Sequence, residues 1–352
     1  MRSFHEVQPG SAKFTGMRRA GTHVRLLLAI SVILAGSACG GNSASSPSAG
    51  VAQAWTLTGS VVTAVDTTPV PNATLTLTQG VTTTNDSGVF NLAGSGNFFA
   101  QPLTIASPAT LTRETYVANA DRHTIDVIST AAPFSEMTYK ELAFDAIDVA
   151  ANLRPLFRWT VQPRFYIRTV FDDTGEPVPA PYIDMTLTEI QRATPQWTAG
   201  TWSADITMGP GPLPDTTNRI AVLYVHPGAA EVHCGDSTVS CAVVWNPSTI
   251  WFNVTASASP TCWASTSHVA HEVGHALGFW HMSGVGVMHS GGGAAEKGVP
   301  VTCRQPVDIT AGEQFYARVL YSRELWTTYP DKSPSGFLLR DVRSGRGPLA
   351  ID

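Results

Sequence analysis

Three histidines and a glutamate lie close together between residues 271 and 281. His271 and His275 are four residues apart, so on a helix their imidazoles would share one face. His281 follows after six more residues. Imidazole nitrogens bind zinc at about 2.0–2.1 Å, and three protein ligands leave a fourth position open, as catalytic zinc requires. The spacing therefore predicts one catalytic Zn²⁺ held by His271, His275 and His281.

Two residues between these histidines suit the same chemistry. Glu272 directly follows the first predicted ligand. Its carboxylate could accept a proton from a water activated by zinc while that water attacks a carbonyl. Gly278 can adopt a positive φ, so the helix could end there and the chain could turn to bring His281 to the metal. We predict Glu272 as the general base and Gly278 as the helix-exit glycine.

Residues 271–281 together read H-E-x-x-H-x-x-G-x-x-H, which resembles the signature of the metzincin zinc metallopeptidases. Met288 follows at the interval of that family's Met-turn, and the resemblance implies that it forms an apolar floor beneath the zinc. Met282 is the competing methionine, but it lies too close to His281 to fold back under it. Ser283 follows the third histidine by two residues and the Met-turn comes soon after, which makes the resemblance closest to matrixin-like enzymes.

Residues 308–317 are similar to the final helix of the matrixin-like family, with Thr310 as N-cap and Glu313 completing a capping box. The chain departs from the family in three places. His289 stands where tyrosine is common, residues 291–298 form a glycine-rich insertion, and no propeptide P-R-C-G segment is present.

The resemblance implies a zinc-dependent endopeptidase that acts on extracellular or surface proteins or peptides. Bound calcium is implied only by the resemblance to the family, since the sequence contains no D-x-D-x-D-G loop. The alternative is a surface-tethered binding or adhesion protein with a catalytically degenerate zinc domain. The other histidines and several acidic residues do not need a role in metal binding. We predict surface or supporting roles for His226, His233, His268 and His289, and caps or solvated groups at Asp215, Asp308 and Glu313.

The N-terminus has the parts of a secretory signal, which we assign to residues 1–38. Arginines precede an apolar run at 26–35, and small residues then lead to Cys39. This run is too short to span a bilayer. Cys39 resembles the lipidated cysteine of bacterial lipoproteins, although Gly36 stands where leucine is usual. We predict an exported protein, held at the cell surface or outer membrane by a lipid on Cys39, with simple secretion as the alternative.

The other four cysteines are an even number in an exported chain, which favours disulfides. Cys234 with Cys241 would close a short loop, and Cys262 with Cys303 would bracket the histidine motif. Three pairings are open. A zinc knuckle is the rival, but no C-x-x-C spacing occurs.

The remaining sequence predicts two folded domains after a flexible tether at residues 39–54. Short alternating strands between turn clusters predict a small all-β sandwich at 55–130. Its P-V-P-x-A-x-L-x-L segment from Pro69 and its T-x-D-x-G-x-F segment from Thr84 resemble carboxypeptidase-regulatory-like domains.

Residues 134–330 alternate helical and strand patterns, which predicts an α+β zincin (metzincin) catalytic domain. We expect a helix around 139–147, a strand at 165–170, a helix at 180–197, and strands at 220–225 and 242–245. A polar tail at 331–352 would follow. The net charge of −5 without a basic tract excludes an electrostatic nucleic-acid surface.

Overall fold

The structure is a computed structural model. The structure describes residues 53–149, 151–214, 217–226, 229, 240–244, 246–254, 266–289 and 308–334. The predictions for the signal segment, the lipid site Cys39, most of the tether, the glycine-rich insertion and most of the tail lie outside these residues. His233, Asp215, Cys234, Cys262 and Cys303 lie outside them as well.

The first seven strands form two sheets. One sheet has the order β4-β1-β7 and the other β3-β2-β5-β6. A single apolar cluster contains residues of both, including Leu57, Val61, Leu75, Leu103 and Ile125. The short strands predicted within 55–130 are confirmed; whether these sheets form the predicted sandwich and belong to the family they resemble stays a prediction. The strands are β1 (Ala54–Thr63), β2 (Thr74–Leu77), β3 (Gly80–Thr83), β4 (Val89–Ser95), β5 (Gln101–Ala106), β6 (Arg113–Val117) and β7 (Arg122–Val127).

A five-stranded mixed sheet follows, with the order β11-β12-β10-β8-β9. Its strands are β8 (Arg164–Arg168), β9 (Asp205–Gly209), β10 (Arg219–Val225), β11 (Ser240–Ala242) and β12 (Ser248–Asn253). All of its neighbouring pairs are parallel except β11 with β12. The antiparallel strand therefore lies at one edge of the sheet. The strands predicted at 165–170 and 220–225 are confirmed within two residues.

The strand predicted at 242–245 was wrong. β11 ends at Ala242, and the apolar residues Val243 and Val244 belong to the turn into β12. Val243 donates its N–H to the carbonyl of Thr249 at 3.0 Å, which closes this antiparallel turn. The apolar run suggested a strand because β-branched residues favour extended backbone wherever it occurs.

Four helices occur in the described residues: α1 (Glu136–Phe144), α2 (Ala180–Trp197), α3 (Thr266–Ala276) and α4 (Ala311–Tyr321). The prediction for α2 is confirmed with the same bounds. α1 starts three residues earlier than expected, because Ser135 caps it by accepting a hydrogen bond from the Thr138 N–H. It ends at Asp145, whose φ of 60° is left-handed. The predicted capping box of Thr310 and Glu313 at the start of α4 is also confirmed.

α3 is the most enclosed of the helices. It packs against α2 and against the sheet strands β11 and β12. Two buried tryptophans outside the helix donate their indole N–H groups to its carbonyls, Trp197 to Ala270 at 2.8 Å and Trp159 to Ala276 at 2.7 Å. The position and rotation of α3 are therefore fixed by hydrogen bonds as well as by apolar contacts.

The segment after α4 returns to the first two sheets, and both belong to one structural unit, residues 51–352. Glu114 on β6 donates its N–H to the carbonyl of Asp331 at 3.0 Å and accepts from the N–H of Ser333 at 2.8 Å. The boundary predicted after residue 330 lies inside this pairing, since Asp331 and Ser333 are both buried.

An arginine cluster lies beneath this pairing: Arg113, Asp126, Arg323, Glu324 and Asp331. Arg113 contacts Glu324 at 2.9 Å and Asp126 at 3.3 Å, and Arg323 contacts Asp331 at 2.7 Å and also Asp126. Both guanidiniums are buried, 1% and 0% exposed. Burial raises the pKa of Asp126, but the Arg323 and Arg113 charges outweigh it and hold that pKa below its ordinary value.

Candidate metal centre

α3 places His271 and His275 side by side, with ring centroids 4.6 Å apart. Each ring is oriented through Nδ1 by a backbone carbonyl: His271 by Val287 at 2.6 Å and His275 by Phe279 at 2.7 Å. Because a carbonyl can only accept, each Nδ1 carries the proton and each Nε2 keeps a free lone pair. This is the tautomer that a metal ligand requires.

Gly278 allows the chain to leave α3 in the direction of the third histidine. Its φ is +114°, which side chains rarely adopt. A Cβ at this position would lie 2.2 Å from the carbonyl oxygen of Phe157, so the close approach also excludes a side chain. Gly278 therefore has the backbone conformation and the close packing that a helix-exit glycine requires.

His281 completes the group. Its Nε2 lies 3.2 Å from Nε2 of His275, which in turn lies 3.0 Å from Nε2 of His271. The ligand atoms of the three residues all lie within 4.8 Å of one another, and they are the only such group found in the described part of the chain. Two nitrogens bound to one tetrahedral zinc at about 2.0–2.1 Å lie about 3.4 Å apart. The observed separations are close to that value.

Burial lowers the pKa of all three imidazoles. The effect is largest for His275, whose pKa the neighbouring His271 and His281 lower further. The rings are therefore neutral near pH 7, and neutral imidazole is the form that binds a metal. Three neutral imidazole nitrogens suit transition-metal ions such as zinc, copper, iron or nickel better than calcium or magnesium.

Glu272 is buried beside these ligands, with 3% of its surface exposed. The hydroxyl of Ser240, on the edge strand β11, donates to its Oε1 at 2.6 Å. Its other oxygen, Oε2, is buried and has no hydrogen-bond partner. Burial raises the pKa of Glu272 to about 7, although the Ser240 hydrogen bond and the His281 charge lower it. The group can therefore both take and release a proton near neutral pH.

Met288 lies directly against α3, as the Met-turn interpretation expects. A Cβ added at Gly274, next to His275, would be 2.6 Å from the Met288 sulfur. The Met288 N–H donates to Oε1 of Glu313 at 2.8 Å, and its carbonyl accepts from the N–H of Met282 at 2.9 Å. Glu313 thus links the start of α4 to this turn, a contact beyond its predicted capping role.

Three polar residues at the site were not predicted. Ser240 contacts Glu272, Asp148 lies 3.7 Å from Nδ1 of His281, and Glu141 accepts two hydrogen bonds from Ser283. Only Glu141 gave a sequence signal: it stands among the apolar residues of α1, where a carboxylate is buried and needs partners. The other two contacts join segments far apart in sequence without any shared pattern.

The remaining histidines and acids have separate positions. His226 contacts Asp173 at 3.0 Å and stacks on Phe171. His268 is buried in α3, so of the two roles predicted for it, surface or supporting, the surface position is excluded. Asp308 is exposed and pairs with Arg192 at 3.2 Å.

Cys241, on β11, is disulfide-bonded, as the even cysteine count predicted. The other cysteines lie outside the described residues, so the pairing stays a prediction. Within the described part of the chain, no helix is long and apolar enough to cross a membrane.

In comparisons with known proteins, the chain matches no family model and no curated protein at a significant level.

Proposed function

We propose that this protein is a zinc-dependent endopeptidase of the metzincin type. The observation that carries the proposal is the convergence of the Nε2 atoms of His271, His275 and His281 beside the buried carboxylate of Glu272. All four residues stand at the positions of the motif that resembles the metzincin signature. The neutral tautomers of the rings support a metal ion at this site, and the resemblance to the metzincin signature favours zinc as that metal.

The chemistry divides between the metal and Glu272. When bound, zinc would act as a Lewis acid on a carbonyl and lower the pKa of a water molecule at the site. Glu272 would take a proton from that water and pass it to the amine that leaves. In the metal-free protein the pKa of Glu272 is about 7, and a group that titrates near the working pH can carry out both transfers. Ser240 holds Oε1 of the carboxylate, which leaves Oε2 for this exchange.

The sheet supports a peptide as the substrate. β11 is the end strand of the described sheet, the position at which an extended peptide would add to a sheet. Ser240 of this strand contacts Glu272, which means that a peptide added to β11 would lie beside the proposed base. Pairing with a sheet edge recognises peptide backbone whatever its side chains.

The test replaces Glu272 with alanine. Glu272→Ala should keep one bound zinc per chain and lose cleavage of casein and of a mixed peptide library by about 10²–10⁴-fold. Glu176→Ala, at an exposed glutamate, is the control and should cleave at the wild-type rate.

Wild-type protein that holds stoichiometric zinc and cleaves nothing would contradict the endopeptidase proposal. That result would favour the alternative, a surface-tethered binding or adhesion protein with a degenerate zinc domain. Export and anchoring through Cys39 remain part of the proposal, supported by the sequence alone.

A further inference from the structure

The third predicted ligand differs from the first two in what holds it. His271 and His275 belong to α3, whereas His281 lies beyond the helix exit, so its position depends on the loop that carries it. That loop is bonded to α1. The N–H of Trp280, one residue before His281, donates to the carbonyl of Leu142 at 2.9 Å.

Glu141 makes the stronger connection between α1 and this loop. Its Oε2 accepts from the N–H of Ser283 at 3.0 Å, and its Oε1 accepts from the Ser283 hydroxyl at 2.8 Å. Glu141 is 7% exposed, and a carboxylate taken out of water is costly unless its oxygens find donors. A single residue of the loop supplies both donors.

The geometry of this contact restrains the loop. The two oxygens of Glu141 bind two groups of Ser283, so the loop can neither rotate nor slide along α1 without breaking a charge-assisted bond. Ser283 follows His281 by two residues and Trp280 precedes it by one. α1 therefore fixes the backbone on both sides of the third histidine.

We propose that Glu141 is a positioning residue for His281: by holding Ser283, it keeps the third imidazole within reach of the other two. This inference rests on the metal site of the proposed function. It makes the site dependent on a helix 142 residues earlier in the chain, outside the histidine motif. Partners that orient a ligand typically change metal affinity by about 10–100-fold when they are removed.

The test measures metal binding in the full chain, by zinc titration against a chromophoric chelator and by the visible spectrum of the Co²⁺-loaded protein. Glu141→Ala should bind zinc about 10–100-fold more weakly than wild type. Its Co²⁺ absorption should weaken, as expected when a protein ligand is replaced by solvent. Met137→Ala, at an exposed residue of the same helix, should match wild type in both measurements.

Two milder variants keep the test decisive if Glu141→Ala does not fold. Ser283→Ala removes one of the two bonds at an exposed residue, and Glu141→Gln keeps the volume but loses the charge. Each should weaken zinc binding by less than Glu141→Ala and more than Met137→Ala.

Wild-type affinity and an unchanged Co²⁺ spectrum in all variants that fold would overturn the proposal for Glu141. The proposed peptidase function is judged separately, by cleavage. A wild-type protein that binds zinc without cleaving peptides would contradict the function and leave the role of Glu141 to the metal titration.

Discussion

Loss of one arginine from the buried arginine cluster should destabilise the protein by several kcal/mol. Arg113→Met keeps most of the side-chain volume but removes the guanidinium, which is 1% exposed and contacts Glu324 at 2.9 Å and Asp126 at 3.3 Å. Arg323 would then face three carboxylates alone. The result is buried negative charge without a partner.

The size of the loss follows from this imbalance. Removal of one partner from a buried ion pair lowers the free energy of unfolding by about 3–5 kcal/mol. The reason is that the remaining charge is desolvated and no longer has an opposite charge beside it. Arg164→Met is the matched control, since Arg164 is 75% exposed and lies 3.9 Å from Asp205. Exposed pairs contribute about 0–1 kcal/mol, so we expect the two variants to differ by several kcal/mol.

The assay is equilibrium unfolding in urea at pH 7 with zinc present, followed by tryptophan fluorescence and by far-UV circular dichroism. Coincident transitions of the two probes would establish that one free energy describes the unfolding. If Arg113→Met loses no more free energy of unfolding than Arg164→Met, the cluster does not stabilise the junction between the first sheets and the segment after α4.

Four further predictions concern the site and the N-terminus. Gly278→Ala should lower the free energy of unfolding by at least about 2 kcal/mol, because its φ is +114° and its Cβ would meet the carbonyl of Phe157; Gly200→Ala, with positive φ but open space, should lose less in the same urea titration. In chelator, Glu272→Gln should exceed wild type in stability by about 3 kcal/mol at pH 8 and equal it at pH 4. The reason is that the folded metal-free protein holds the Glu272 proton with a pKa of about 7 against an ordinary 4.5, so stability present below pH 4.5 is lost as the pH rises through 7; parallel pH curves for the two proteins would refute this. Removal of zinc by chelation should lower the melting temperature of the wild-type protein, and addition of zinc should restore it. A melting temperature that changes with neither treatment would contradict a metal site in the folded protein. Cys39→Ala should move the protein from the membrane fraction to the soluble fraction. An unchanged distribution would contradict a lipid anchor on Cys39.

Local sequence patterns predicted the part of the site that lies within the short histidine motif, residues 271–281. His271 and His275 are placed by helical periodicity, and Gly278 by the backbone that only glycine adopts freely. The positions of these three residues could therefore be predicted from the sequence. The bounds of α2 and the capping box of α4 could be predicted as well.

Contacts between distant segments could not be predicted in this way. Ser240 approaches Glu272 because an edge strand packs on α3, and no spacing rule connects the two residues. The arginine cluster joins β6 and β7 to residues about 200 positions later in the chain, and one of these, Asp331, was assigned to the polar tail at 331–352. The turn after β11 was mistaken for strand because an apolar run does not reveal which of its residues pair.

The pairing of Asp331 and Ser333 with Glu114 has a consequence for self-association. β6 is the last strand of its sheet, and an uncovered strand offers its backbone to any other chain. In this protein the chain's own later segment occupies that place, with Lys332 and Glu114 adding an ion pair at 2.8 Å. A molecule shortened before Asp331 would expose the edge and could receive the same segment from an intact neighbour. The segment that contains Asp331 and Ser333 thus protects the β6 edge from pairing with other molecules. It is also the element through which two molecules could exchange strands.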